Sequence, residues 1–190
     1  MTAPDDGLTR CGWAAQASAL YRDYHDNEWG RALRDGVALF ERMNLEAFQS
    51  GLSWVLILRK RENFRRAFCG FDIEKVAGFS GDDVARLLAE DGIVRNRAKI
   101  EATIANARAA VNLGGADELS ELLWSFAPPP RPRPADASQI PATTAESTAM
   151  ARELKRRGFR FVGPTTAYAL MQATGMVDDH LRMCWVPPTT

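Results

Sequence analysis

The feature that most narrows what this chain can fold into is a helical spacing of apolar residues that recurs along its length and is interrupted by one block of prolines. From Gly36 to Ser50 the positions Val37, Phe40, Met43 and Ala47 recur at three and four residues, which predicts an amphipathic helix. A second helix is expected from Ser53 toward Phe68, with Gly51 at the junction. Ser80 followed by Asp83 reads as a capping box, with Asp in place of the usual Glu, that opens a helix through Val84, Leu87 and Leu88. Arg97 to Leu113 continues the pattern. Residues 128–141 are too rich in proline to be helical and read as an extended connection between lobes. After it, Thr144 and Glu146 start a helix that ends at Gly158, and a last one ends near Gly175. No segment alternates with the period of a strand. The expectation is an all-α protein of two small helical lobes within a single domain spanning residues 1–190, residues 1–9 forming a flexible lead-in.

Composition removes several function classes. No apolar run approaches the roughly 20 residues of a membrane span, and Met1 to Arg10 carries Asp5 and Asp6 rather than a basic start before a hydrophobic stretch. A soluble, cytoplasmic protein with no membrane partner is expected. Cys11, Cys69 and Cys184 are an odd number of cysteines spread across the chain, which argues against a disulfide framework. Cys69 is expected to be buried. The net charge of +0 does not advertise a nucleic-acid binder. Its positive residues are nevertheless clustered: Arg59, Lys60 and Arg61; Arg95, Arg97 and Lys99; Lys155, Arg156, Arg157 and Arg160. Each cluster could face phosphate or could be a solvated helix end.

The chain has two histidines, each matched with a cysteine: Cys11 with His25 near the start, His180 with Cys184 near the end. Residues four apart on a helix share a face, and two imidazole nitrogens with two thiolates make a closed tetrahedral zinc site, which would act structurally by tying the two chain ends together. The alternative is two buried thiols and two solvated histidines. Between Arg157 and Ala167 a glycine turn separates two helices, and Gly163 with Thr165 would expose backbone N–H groups at a helix start, suited to phosphate. Helix-hairpin-helix modules look like this; so do ordinary turns between helices. The run from Tyr21 through Tyr24, His25 and Trp29 is dense in aromatics, and Glu46, Gly51, Leu52 and Trp54 follow one another closely. Aromatic walls with one carboxylate suit a flipped, positively charged purine, held by cation–π attraction and by acceptance from its exocyclic amine. Against this stands the commoner fate of each type alone, tryptophan as core anchor and glutamate as surface residue.

Together these strings closely resemble the bacterial 3-methyladenine DNA glycosylase I family. The match runs from Arg10, Cys11, Gly12 and Trp13 through 24–30, 45–54, 60–63, 124–126 and 155–163 to Asp179 and His180. The resemblance implies an all-helical fold of the helix-hairpin-helix DNA glycosylase superfamily and a structural zinc ion on Cys11, His25, His180 and Cys184. It implies a base pocket in which Glu46 and Tyr24 are catalytic and Trp54, Tyr21, Trp29 and Trp13 bind the base. It assigns DNA contact to Gly51 and Leu52, the latter as a wedge, and the hairpin reading adds Arg160, Gly163 and Thr165. The implied partner is double-stranded DNA containing 3-methyladenine; a monomer is the simplest expectation for the chain itself. Bifunctional relatives in the superfamily carry a Schiff-base lysine just after the hairpin glycine; Pro164, Thr165 and Thr166 stand here, so the enzyme is expected to leave the abasic site uncut. Asp178 and Asp179 occupy the region of a superfamily aspartate without which this family is thought to work. The chain departs from the family in a longer N-terminus, one extra residue between Trp13 and Tyr21, and no cysteine run after Cys184. A non-catalytic zinc-stabilised DNA-binding module would keep the hairpin but tolerate loss of Glu46. A zinc hydrolase would need an open metal position.

Overall fold

A computed structural model describes residues 6–188 and contains no strand among them. Its helices run in the order α1 (Gly12–Ala15), α2 (Ala19–Asn27), α3 (Gly36–Gln49), α4 (Trp54–Ala67), α5 (Ile73–Ala77), α6 (Gly81–Ala89), α7 (Arg97–Leu113), α8 (Ala116–Trp124), α9 (Ala145–Arg156) and α10 (Pro164–Ala173). The expected flexible lead-in falls partly outside the described residues, since 1–5 are not among them. Asp6 pairs with Arg10 at 2.7 Å.

The helix starts follow local chemistry. Asp35 accepts from the Ala38 N–H at α3, Asn96 from Lys99 at α7, and Thr144 and Ser147 form a reciprocal capping box at α9. The expected Ser80–Asp83 box is present at α6. The proline-rich connection is extended except for one turn of 3-10 helix over Ala137–Gln139, where Asp136 accepts from the Ser138 N–H.

Helix α3 is the centre of the molecule. It buries Leu39, Phe40, Met43, Leu45 and Phe48 completely and packs on α4, α7, α8 and α10. Around it α5, α6 and α8 pack on α7, while α9 packs on α10. The close approach of α3 to α8 depends on Gly36, because a Cβ there would lie 1.9 Å from the Ala116 carbonyl oxygen. One continuous hydrophobic cluster runs from Tyr24 to Val177, and a small second cluster gathers Cys11, Cys184 and Val186.

Cys69 is exposed, contrary to expectation. Phe68 and Phe71 take the buried positions on either side, their rings stacked at 5.4 Å. The turn between them is left-handed at Cys69, Gly70 and Phe71, and it carries the thiol outward.

Candidate active site

The aromatic residues and the carboxylate that the sequence set side by side do converge. Trp13 on α1, Tyr21 and Tyr24 on α2, Trp29 just beyond it, Glu46 on α3 and Trp54 at the start of α4 line one cavity of about 280 Å³. Gln49, Ile140, Ala169 and Gln172 complete the wall. The rings form a continuous aromatic surface. Trp13 lies 4.9 Å from Tyr21 and 5.2 Å from Trp29, and Tyr24 lies 5.4 Å from Trp54. Trp54 Nε1 is buried with no hydrogen-bond partner among the described residues, a donor in the cavity wall that a bound acceptor would satisfy.

Glu46 is 6% exposed, and no hydrogen-bond donor among the described residues reaches its carboxylate. Burial pushes its carboxyl up to about 7, against the opposing pull of the Arg42 guanidinium one helical turn back. Arg42 is itself buried. Its Nη1 donates to the Tyr24 hydroxyl at 2.8 Å, its Nη2 donates to Glu28 at 3.2 Å, and it lies over the Tyr24 and Trp54 rings. Because the Tyr24 oxygen accepts from Arg42, its own O–H remains to donate elsewhere. Burial also raises the Tyr24 phenol, so this donor stays protonated.

The second cluster joins the chain ends. Cys11, His25, His180 and Cys184 are all buried, and their ligand atoms lie within 4.8 Å of one another. Cys184 Sγ is 3.6 Å from His25 Nε2 and 3.5 Å from His180 Nδ1, and Cys11 Sγ is 3.7 Å from His180 Nδ1. Zinc bonds of about 2.3 Å to sulfur and about 2.0 Å to nitrogen at tetrahedral angles put sulfur and nitrogen about 3.6 Å apart, so the donor set fits such an ion. The outer ring nitrogens are also committed. His25 Nδ1 meets Asp26 at 2.7 Å and His180 Nε2 meets the Trp29 carbonyl at 3.0 Å, which leaves the inward nitrogens free to ligate. Arg10 holds Asp26 in place, and the Leu181 N–H donates to Cys11 Sγ. This group can bind a metal ion, and the reading of buried thiols with solvated histidines does not hold. Since Trp29 lies against His180 and also lines the cavity, the cluster buttresses the pocket.

Two exposed turns lie at the ends of helices that line the cavity. Gly51, at φ +83°, turns the chain between α3 and α4 and leaves Leu52 40% exposed, with Gln49 and Trp54 of the cavity wall on either side. The second turn joins α9 to α10. There Gly158 and Phe161 adopt positive φ, Gly163 caps α10 without a side-chain hydrogen bond, and Arg160, Gly163 and Thr165 are exposed. Thr165, Ala169 and Gln172 are spaced to share one face of α10, so the face that starts at this hairpin leads into the cavity.

The basic clusters resolve unevenly. Arg61 pairs with Glu28, Arg95 with Asp91, Arg97 with Glu101, and Arg156 and Arg157 with Glu153. Lys99 is buried rather than facing solvent. Asp178 pairs with Arg133, and Asp179 accepts from Tyr168, Arg131 and Gln172, so both serve as structural anchors of the C-terminal segment. Arg42, Gln49 and Gln172 were not singled out from sequence. Arg42 left a trace there, an arginine on a largely apolar stripe four residues before Glu46.

A buried carboxyl faced by aromatic rings, in a cavity lined by helices that end in exposed turns, defines a helical protein with a site suited to a flat cationic ring. A family model described as methyladenine glycosylase matches residues 13–187. DNA-3-methyladenine glycosylase 1 of Escherichia coli is 45% identical over 184 residues, covering 95% of this chain and 98% of that protein. A crystal structure of 3-methyladenine DNA glycosylase I superposes with a TM-score of 0.90 at 44% identity, over 95% of this chain and 100% of that one. A variant of 3-methyladenine DNA glycosylase I in complex with 3-methyladenine gives a TM-score of 0.88 at 33% identity, over 95% and 99% of the two chains. The chain belongs to the methyladenine glycosylase family.

Proposed function

We propose that this protein excises 3-methyladenine from alkylated double-stranded DNA by hydrolysing the N-glycosidic bond, and that it leaves the abasic site intact. The observation that carries the reading is Glu46, buried without a hydrogen-bond donor among the described residues, at a cavity walled by Trp13, Tyr21, Tyr24, Trp29 and Trp54. Its carboxyl has two uses there. It accepts from an exocyclic amine, and in its ionised form it stabilises positive charge on the ring.

Methylation at N3 makes adenine a cation in the nucleotide and therefore a good leaving group. When the bond from C1′ to the base nitrogen breaks, the base takes the electron pair and departs neutral. Water adds to C1′ and loses its proton to solvent. The pocket's part is to favour the extruded base over the stacked one. Tyr24 O–H and Glu46 bind its edge, Trp54 stacks beside it, Leu52 fills the vacated stack above Gly51, and the backbone N–H groups at Gly163 and Thr165, with Arg160, hold phosphate. Pro164, Thr165 and Thr166 after the hairpin glycine supply no amine for a Schiff base, which supports the monofunctional reading.

The four-residue cluster is read as a structural zinc site. A zinc ion bound by two thiolates and two imidazoles has no open position, so it would supply a cross-link between the chain ends and no chemistry. The pocket is formed within one chain, which supports action as a monomer, and thiolate ligation with an exposed Cys69 thiol suits a reducing compartment such as the cytoplasm.

The test is release of free 3-methyladenine from methylated duplex DNA, comparing the parent with Glu46→Ala and Trp54→Ala after each is shown to fold and carry metal. Release by the parent and its loss in both variants is the expected result. A folded, metal-loaded parent that binds the duplex but releases no base would replace the enzyme with a DNA-binding module.

A further inference from the structure

Lys99 is placed where a lysine is unfavourable on three counts. It lies in the first turn of α7, where the helix dipole repels a cation. It is 7% exposed, and burial lowers its ammonium from the usual value. Among the described residues no carboxylate pairs with it. Its contacts explain the placement. Nζ donates to the Phe48 carbonyl at 2.8 Å and to the Ser50 carbonyl at 2.6 Å, the last carbonyls of α3 before the Gly51 turn. These are groups a helix end leaves without partners, and the negative end of the α3 dipole favours a cation there. The turn has little else to hold it. Leu52 N–H bonds back to the Gln49 carbonyl, a Cβ on Gly51 would meet nothing, and Ser53 caps α4 without a side-chain hydrogen bond.

Two turns further along the same face of α7, Asn106 makes an analogous clamp. It accepts from the Arg160 N–H at 2.7 Å, donates to the Arg160 carbonyl at 3.2 Å, and donates to Asn44 at 2.9 Å. At about 1.5 Å per residue, the seven residues between the clamps span about 10 Å of one rigid helix. Both exposed turns are therefore bonded to α7.

We propose that Lys99 is a positioning residue for base extrusion: it fixes the Gly51 turn so that Leu52 stands at the height and angle needed to replace a base leaving the duplex. The proposal rests on the glycosylase reading. Lys99 lines no part of the cavity, so its loss leaves the binding of a free base unchanged and impairs the step in which Leu52 acts.

A double-mutant cycle on methylated duplex DNA separates this role from a general structural one. Lys99→Met is expected to lower the kcat/KM for base release about tenfold in the parent background and no more than about twofold in the Leu52→Ala background. Binding of free 3-methyladenine, followed by tryptophan fluorescence, is expected to stay within about twofold of the parent. Lys99→Gln, which keeps an amide donor of shorter reach, is expected to fall between the two, and it decides the matter if the methionine variant does not fold. Equal losses with Leu52 present and absent, or loss of free-base binding alongside loss of release, would make Lys99 a structural residue and overturn the proposal. Undiminished release by the variants would overturn it as well. A parent that binds the duplex and releases nothing would remove the glycosylase reading and this proposal with it.

Discussion

Glu46 destabilises the fold that holds it, and the effect can be measured by making the side chain neutral. Burial raises its carboxyl from 4.5 to about 7 even with Arg42 nearby. At 1.36 kcal/mol per pH unit, that difference corresponds to about 3 kcal/mol. Between pH 4.5 and about 7 the folded protein keeps a proton that the unfolded chain releases. Stability from this group is therefore fully present below pH 4.5 and is lost as the pH rises through about 7. Glu46→Gln removes the ionisation and leaves the same polar atoms without partners as the protonated acid. The variant is expected to exceed the parent in unfolding free energy by about 2–3 kcal/mol at alkaline pH, a rise in Tm of about 4–12 °C for a chain of this size. Near pH 4 the two should be almost equal, and at pH 5 the variant should lead by only about 1 kcal/mol. Urea unfolding of the metal-saturated proteins measures this, and because both carry the same ligand cluster, acid loss of metal cancels in the difference. The same variant should lose base release, because the amide cannot carry the charge that holds a cationic ring. A Gln variant no more stable than the parent at pH 8.5, or equally stabilised at pH 5 and pH 8.5, would refute the reasoning.

Other perturbations test neighbouring parts of the site. Removing metal with a chelator should lower stability by about 4 kcal/mol for a site otherwise filled at about 1,000 times its dissociation constant, seen as a fall in Tm of about 8–16 °C; an unchanged melting curve would show that the cluster holds no ion. Arg42→Met removes the cation that opposes the upward shift of Glu46, so the acid limb of the pH–rate profile for base release should move to higher pH; a limb that stays put would separate Arg42 from the carboxylate. In the native, metal-loaded protein one thiol, Cys69, should react with a disulfide reagent, and all three should react after chelation and denaturation. Three fast-reacting thiols in the native protein would contradict the buried ligand pair.

What was legible in sequence follows the range of the interactions involved. The bounds of α3, α4 and α7 and the start of α6 could be read closely because periodicity is local and the Ser80 cap bonds within three residues. Helix α2 was harder to recognise. It buries only Tyr24 and His25, and its aromatic, polar run is shaped by the cavity and the metal ligands rather than by a core stripe. Helix α8 is only nine residues long, and its docking depends on Gly36 and on the bond from Trp124 to the Leu33 carbonyl, neither visible in its own pattern. Cys69 was misplaced because a thiol beside two phenylalanines in a row of apolar residues suggests the core, whereas three left-handed residues reverse its direction.

The charged residues show why the site was only partly legible. Lys99 and Arg97 are two residues apart in one basic cluster, yet Arg97 makes a surface pair with Glu101 while Lys99 turns inward to the end of α3. Arg42 and Glu46, spaced as a common surface ion pair on a helix would be, are both buried and do not bond to each other: the arginine reaches Tyr24 and Glu28, and the glutamate keeps a free carboxylate toward the cavity. In each case the spacing permits the ordinary outcome, and contacts from a distant part of the chain select the other. Those contacts come from Tyr24 and Glu28 for Arg42 and from the end of α3 for Lys99. The residues whose roles could least be read from local pattern are thus the ones that set the charge and the geometry of the site.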